Sequence, residues 1–209
     1  MSDQSKQRWW LEDASAIAEQ APYTFWLPSD AIIAKLAPGN QVKLIFVFDS
    51  DDPEAPRAER MWVDVRERNG TLFRGLLDNE PKYMTGISHG DSLEFAPNHI
   101  VDTDIFDPTS ADFERYFQRC FVTDRIMKDR VKVGYVYREA PDREDDSGWR
   151  FLAGDESEEY MDDASNTNYI AVGSVLNLDS TLVELIDEPV GQWAWDSEAG
   201  AWHRLENEG

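Results

Sequence analysis

The sequence predicts an α+β protein in two domains, and three observations carry that expectation. Its first half holds short apolar or alternating runs, at residues 42–48 and 61–65, and Asn69-Gly70 then precedes another at 71–77. Period-two patterning interrupted by Asn-Gly reads as a β-hairpin. The second half mixes alternating aromatic runs with stretches at helical spacing, the mark of strands and helices sharing one layer system. Between the halves, Asp107-Pro108-Thr109-Ser110 breaks the pattern, because proline turns the chain while Asp and Ser favour helix caps. The expected architecture is a small β-rich N-terminal domain, barrel-like or a bent sheet, at residues 1–107, and an α+β C-terminal domain at residues 110–209.

Residues 5–21 read as an amphipathic helix with Trp9, Trp10 and Ile17 on its apolar side, stopped by Pro22. Ser29 caps a second short helix ending near Leu36, and Pro38-Gly39-Asn40 turns the chain. Residues 42–48 form a mostly buried strand, 49–59 an exposed acidic loop, and 92–95 and His99-Ile100-Val101 further strands. Beyond the break, Phe113, Tyr116, Phe117 and Cys120 define one stripe of a helix over 111–120, which makes Cys120 a packed thiol rather than a reactive one. Val131, Val133, Tyr135 and Tyr137 alternate along a strand paired with residues 121–127. Residues 166–168 are a polar break, 172–176 and 180–186 short helices, and Trp193, Trp195 and Trp202 bracket a terminal hairpin turning at 196–200.

The most distinctive stretch runs from Ser147 to Asp163. Trp149, Phe151 and Ala153 alternate with Arg150 and Leu152, as in a strand buried on at least one face. Gly154 permits a sharp exit. Asp155 then reads as the N-cap of a helix whose first turn carries Glu156, Glu158 and Glu159, where carboxylates meet the positive end of the helix dipole. Tyr160 and Met161 supply that turn's apolar foothold.

Composition narrows the function. With 209 residues the chain can bury a core without disulfide or metal support, and its single cysteine suits a reducing compartment. No secretory segment or membrane-spanning run is present in the sequence, so the expectation is a soluble cytoplasmic protein with no membrane partner. A net charge of −22 opposes nucleic-acid binding and favours a basic protein partner. That charge is concentrated: residues 151–209 hold 14 acidic side chains and one basic, a net of −13, whereas residues 110–150 hold nine of each. The carboxylates Asp155, Glu156, Glu158, Glu159, Asp162 and Asp163 match no EF-hand loop and no zinc spacing, so a solvated helix start is expected and neither metal nor cofactor. His89, His99 and His203 are scattered, and no phosphate loop, nucleophile elbow or dinucleotide fingerprint occurs, so no catalytic residue is assigned. A glycosidase-like carboxylate pair is a matter of distance in space, which sequence leaves open.

The motifs Gly148-Trp149-Arg150-Phe151, Gly154-Asp155-Glu156, Glu159-Tyr160-Met161-Asp162, Leu176-Asn177-Leu178-Asp179 and Asp187-Glu188-Pro189-Val190-Gly191 occur in this order over residues 121–192. They resemble a bacterial family first catalogued as a domain of unknown function and later as the thirty-third immunity-protein family of polymorphic toxin systems. The resemblance implies a cytosolic protein that binds and neutralises a toxin, without catalysis and without an active-site motif. Over residues 36–104, Arg60-Met61-Trp62-Val63, Gly75-Leu76-Leu77-Asp78-Asn79-Glu80-Pro81 and Gly90-Asp91-Ser92-Leu93-Glu94-Phe95 resemble a second bacterial domain of unknown function. That likeness implies a compact, mostly β module. The expected partner is a basic toxin, occluded stoichiometrically. The expected contact residues are Asp155, Glu156, Glu158, Glu159, Asp162 and Asp163, with Tyr160, Trp195 and Trp202 as aromatic anchors. An acidic housekeeping or regulatory adaptor is the alternative, and a carboxylate-based or metal-assisted hydrolase stands behind both. Oligomeric state is not legible.

Overall fold

The computed structural model describes residues 8–50 and 53–206. The chain divides into two compact units, Met1–Ser110 and Ala111–Gly209.

In the first unit, patterned strands pair into a six-stranded antiparallel sheet curled into a half-barrel. Strands β1 (Trp9–Leu11), β2 (Gln41–Phe48), β3 (Ala58–Asn69), β4 (Leu72–Leu77) and β5 (Ser92–Phe95) follow one another across it. Strand β6 (Ile100–Thr103) pairs with the first part of β2, on the edge that β1 takes further along. β2 is nearly continuous apolar sequence because both its faces are covered. Val42, Leu44, Phe46 and Phe48 enter the main core with Val63, Phe73 and Phe95, while Ile45 meets Ala14 and Ile17 of helix α1 (Ala14–Gln20) on the other side. Helix α2 (Asp30–Lys35) ends against the Arg68 guanidinium, which donates to the carbonyls of Ile33, Ala34 and Leu36. A cation there answers the unpaired acceptors of a helix C-terminus.

Three expectations for this unit are corrected. The helix over 5–21 is only Ala14–Gln20, capped by the Asp13 carboxylate on the amides of Ser15 and Ala16; residues 5–7 lie outside the described residues. Trp9 and Trp10 belong instead to β1, where a period of two sends Trp9 onto Phe46, ring centroids 5.7 Å apart, and leaves Trp10 exposed. The hairpin turn is Gly70-Thr71 rather than Asn69-Gly70, since Asn69 already pairs with Leu72 and Gly70 takes the positive φ of 64°. His99 closes a 3-10 turn, Pro97–His99, and the strand begins at Ile100.

The second unit is a mixed six-stranded sheet. Its strands are β7 (Arg119–Thr123), β8 (Tyr135–Arg138), β9 (Asp146–Leu152), β10 (Thr167–Ala171), β11 (Gly191–Asp196) and β12 (Ala201–Arg204), in the spatial order β10-β7-β9-β8-β11-β12. β7 and β9 run parallel, and the other neighbours are antiparallel. The short helices are α3 (Ser110–Glu114), α4 (Asp124–Met127), α5 (Glu158–Asp162) and α6 (Val172–Leu176), with a 3-10 segment at Ser180–Leu185. Trp149 and Phe151 of β9 and Trp193 of β11 are buried on one sheet face. The Trp149 indole donates to the Ile186 carbonyl at 3.4 Å, tying the chain after the 3-10 segment to that face.

Here too the structure departs from the sequence reading. The helix over 111–120 stops at Glu114, and Cys120 lies in β7, fully buried beside Ile170 of β10. Its burial raises the thiol above its ordinary range, so it is packed, but as a strand residue. Phe117, assigned to the same stripe, is exposed. The strand over 131–137 is confined to β8, which pairs with β9 and β11 and not with 121–127, where β7 gives way to α4. The polar stretch 166–168 enters edge strand β10. The cap of α5 is Ser157, whose hydroxyl accepts from the Tyr160 amide, and not Asp155; Glu156 precedes the helix.

We propose that the two units are independent domains. Limited proteolysis should cut first near residue 110, and fragments 1–110 and 111–209 should each show a cooperative melt; failure of both fragments to fold would rule this out. Trp149→Ala should cost about 3–5 kcal/mol in a denaturant titration, whereas Glu158→Gln, on the exposed turn, should stay within about 0.5 kcal/mol.

Candidate protein-binding face

Residues directly opposite across strands share a sheet face, so register alone assembles the side of the second sheet turned away from Trp149. Tyr169 of β10 stands opposite Phe121 of β7, Phe121 opposite Arg150 of β9, Arg150 opposite Tyr137 of β8, and Tyr137 opposite Gln192 of β11. The side chains touch along this row. Phe121 and Tyr169 have ring centroids 4.9 Å apart, the Arg150 guanidinium lies 4.8 Å from the Phe121 ring, and Tyr135 stands 6.0 Å from Tyr137 while its hydroxyl bonds Gln192 at 2.9 Å. All four aromatic residues remain partly exposed.

Arg150 is the exception, at 5 % exposure. Its guanidinium makes a bidentate pair with Asp146, at 2.9 and 2.8 Å, and Nε donates to Glu139 at 2.8 Å. Asp146 also accepts from the amides of Gly148 and Asp142. The hydrogen bonds from Arg150 outweigh burial and hold the Asp146 carboxyl at about 2. Gly148 is obligatory here: its φ is +80°, and a Cβ would fall 2.2 Å from the Glu139 carbonyl oxygen.

Acidic segments flank the row, off the two ends of β9. At the far end of β9, Gly154 turns the chain with φ +93°. Glu156 then folds back to accept from the Thr123 hydroxyl at 2.7 Å and from the amides of Ala153 and Gly154 at 2.8 Å. Burial works against its charge, yet these bonds keep its carboxyl below the usual value. Asp155 pairs with Arg125, the Tyr160 hydroxyl accepts from the Arg125 amide, and Asp163 caps the next turn through the Ser165 amide. Glu158, Glu159 and Asp162 are exposed and form no ion pair among the described residues. Met161 and Thr167 share a hollow of about 40 Å³ with Phe121, Tyr137 and Arg150, which places this segment against the row. At the other end, Asp145 accepts from the Tyr169 hydroxyl at 2.9 Å, beside exposed Asp142 and Glu144.

Seven of the nine residues singled out from sequence thus gather at one end of the sheet. Trp195 and Trp202 do not join them. They pair with each other across β11 and β12 on the opposite face, centroids 5.4 Å apart, with Lys132 3.5 Å from the Trp195 ring and the Trp202 indole donating to Thr181. The row of Phe121, Tyr135, Tyr137, Arg150 and Tyr169 was not recognised from sequence. Its one local signal is the i, i+2 pair Tyr135 and Tyr137, which any strand turns to a common side.

Among the described residues no group of His, Cys, Asp and Glu is arranged to hold a metal ion, and no helix is long and apolar enough to cross a membrane.

Residues 120–206 match the family model of the Immunity protein Imm33 domain. The match supports an immunity-protein role in toxin systems and implies a toxin as partner. Residues 11–112 match a second family model, described as an uncharacterized protein conserved in bacteria (DUF2314). No curated protein and no solved structure matches the chain significantly. The segment that matches the Imm33 model contains the whole aromatic row and both acidic segments.

The Arg150 pair yields a pH-dependent outcome. The Asp146 carboxyl is lowered from 3.8 to about 2, so its stabilisation is complete above the ordinary carboxylate range and is lost as pH falls through about 2. The shift corresponds to about 2 kcal/mol. Asp146→Asn, which strands a buried guanidinium, should cost about 3–5 kcal/mol at neutral pH. Urea titrations should show that deficit shrinking between about pH 4 and pH 2; a deficit constant with pH would place the stabilisation elsewhere.

Proposed function

We propose that this protein is a non-catalytic immunity protein of the cytoplasm, which binds a basic toxin one-to-one over the face built on Phe121, Tyr137, Arg150 and Tyr169 and so occludes it. The observation that carries this reading is the coincidence of that face with the Imm33 match. Partly exposed aromatic groups around a desolvated arginine have the composition of binding hot spots. Charge supports the basic partner, because residues 151–209 are net −13 and a focused field accelerates encounter with an opposite charge.

Roles divide within the acidic segment. Glu158, Glu159 and Asp162 steer the approach from solvent, whereas Asp155, Glu156, Tyr160 and Asp163 hold the loop that presents them. Trp195 and Trp202, on the other face, stand outside this contact.

Cells carrying the toxin gene adjacent to this one should survive when the protein is co-expressed; continued killing despite abundant folded protein would sink the reading. In binding kinetics, Glu158→Gln, Glu159→Gln and Asp162→Asn together should slow association about tenfold at low salt and flatten its salt dependence. Tyr137→Ala or Tyr169→Ala should instead shorten the complex lifetime by about ten- to a hundredfold.

A further inference from the structure

The hollow of about 40 Å³ beside Met161 is open to solvent and lies within the aromatic face. It is lined by consecutive residues of two neighbouring strands, 121–123 of β7 and 150–152 of β9, with Tyr137, Met161 and Thr167 around them. Such a volume is far below that of a small-molecule pocket and holds roughly three water-sized groups. That is room for the branched end of one aliphatic side chain, and too little for an indole or a phenol.

The polar side chains of the lining are already engaged. The Thr123 hydroxyl donates to Glu156 at 2.7 Å and the Thr167 hydroxyl to the Ala164 carbonyl at 3.0 Å, while the Arg150 guanidinium donates to Asp146, Glu139 and the Trp149 carbonyl. Of the side-chain polar groups in the lining, the Tyr137 hydroxyl alone forms no hydrogen bond among the described residues. A polar guest would give up its water and find one hydroxyl in return, an unfavourable exchange. A lysine or arginine head would meet the Arg150 guanidinium. Met161, 39 % exposed although apolar, borders the hollow with a flexible thioether that adapts to a guest's shape.

Charge lies beside this apolar spot rather than in it. Glu158 stands three residues before Met161 on the same side of α5, exposed and without an ion pair among the described residues. A carboxylate guest would be repelled there, whereas a cation next to an apolar group would be paired.

We propose that the hollow receives one aliphatic side chain of the toxin, of valine to leucine size, at a position adjacent to a lysine or arginine that pairs with Glu158. This rests on the reading of the face as toxin-binding and adds what the contact selects. An apolar group seated in a small desolvated hole holds a complex together, while the charges around it set the approach. A second copy of this chain is a poor occupant, because two chains of net charge −22 repel each other.

The probe is the product of the adjacent toxin gene, purified with its toxic activity removed by substitution and titrated against the intact protein. Thr167→Leu, which fills the hollow from its rim, should raise Kd at least about tenfold through faster dissociation, with a melting temperature within about 3 °C of the unaltered protein. Met161→Ala, on an exposed turn that tolerates truncation, should raise Kd about three- to tenfold, and Met161→Leu should recover most of that loss. Photo-methionine in place of the methionines should cross-link from position 161 to an aliphatic residue of the toxin with an adjacent Lys or Arg. No binding of the unaltered protein overturns the toxin-binding reading, and the anchor with it. Binding of the unaltered protein together with undiminished binding of Thr167→Leu and Met161→Ala leaves that reading in place and overturns the anchor alone. A cross-link to a charged or aromatic residue, or to a second copy of this chain, overturns it equally.

Discussion

Arg150 and Asp146 face each other within one strand, 2.8–2.9 Å apart and almost wholly out of water, and the C-terminal unit is arranged so that this is tolerable. Two buried charges are stable together only when every remaining donor and acceptor is used. Here the backbone bends to supply them. The amides of Gly148 and Asp142 complete Asp146, and Glu139 and the Trp149 carbonyl complete Arg150. The pair thereby fastens the 139–146 loop to β9 and requires glycine at 148, where a side chain would strike the Glu139 carbonyl.

The same pair divides the sheet's two faces. Because successive side chains point to opposite sides, Arg150 between Trp149 and Phe151 puts charge on one face and large aromatics on the other. The aromatic side becomes core. The charged side cannot be covered by apolar elements without stranding the guanidinium, so it is faced by rings whose π clouds accept a cation, Phe121 closest. A platform held by charge-assisted hydrogen bonds loses little conformational freedom on binding, which leaves more of the contact energy for affinity. The exposed carboxylates Glu158, Glu159 and Asp162 beyond the end of β9 are solvated, suited to speeding encounter rather than prolonging the complex.

Legibility followed the range of the signal. The strand through Trp149 and Phe151 and its exit at Gly154 were readable, because alternation and glycine are local, and so were β2, α2 and the terminal hairpin; that the strand already begins at Asp146 was not. Helical spacing misled at Trp9-Trp10 and at Phe117 to Cys120. In both places a short strand completes a sheet by pairing with residues far along the chain, Phe46 to Phe48 in one case and Ile170 and Asp146 in the other. Tertiary pairing overrides weak local preference. Asp155 was read as the cap of α5 from its residue type and place after Gly154; in the structure it pairs with Arg125, and the Ser157 hydroxyl caps the helix instead.

Sequence by itself determined the α+β class, the acidic character and its concentration after residue 150, the burial of Trp149, and the family likeness of each half. Those properties are sums over residues or patterns within a few positions. Tertiary structure alone decided that Phe121, Arg150, Tyr137 and Tyr169 form one row and that Trp195 and Trp202 lie on the other face. The four residues of the row come from four strands whose chain order differs from their spatial order. A one-residue change in any register would send a strand's side chains to the opposite face, and register is fixed by packing across the whole sheet.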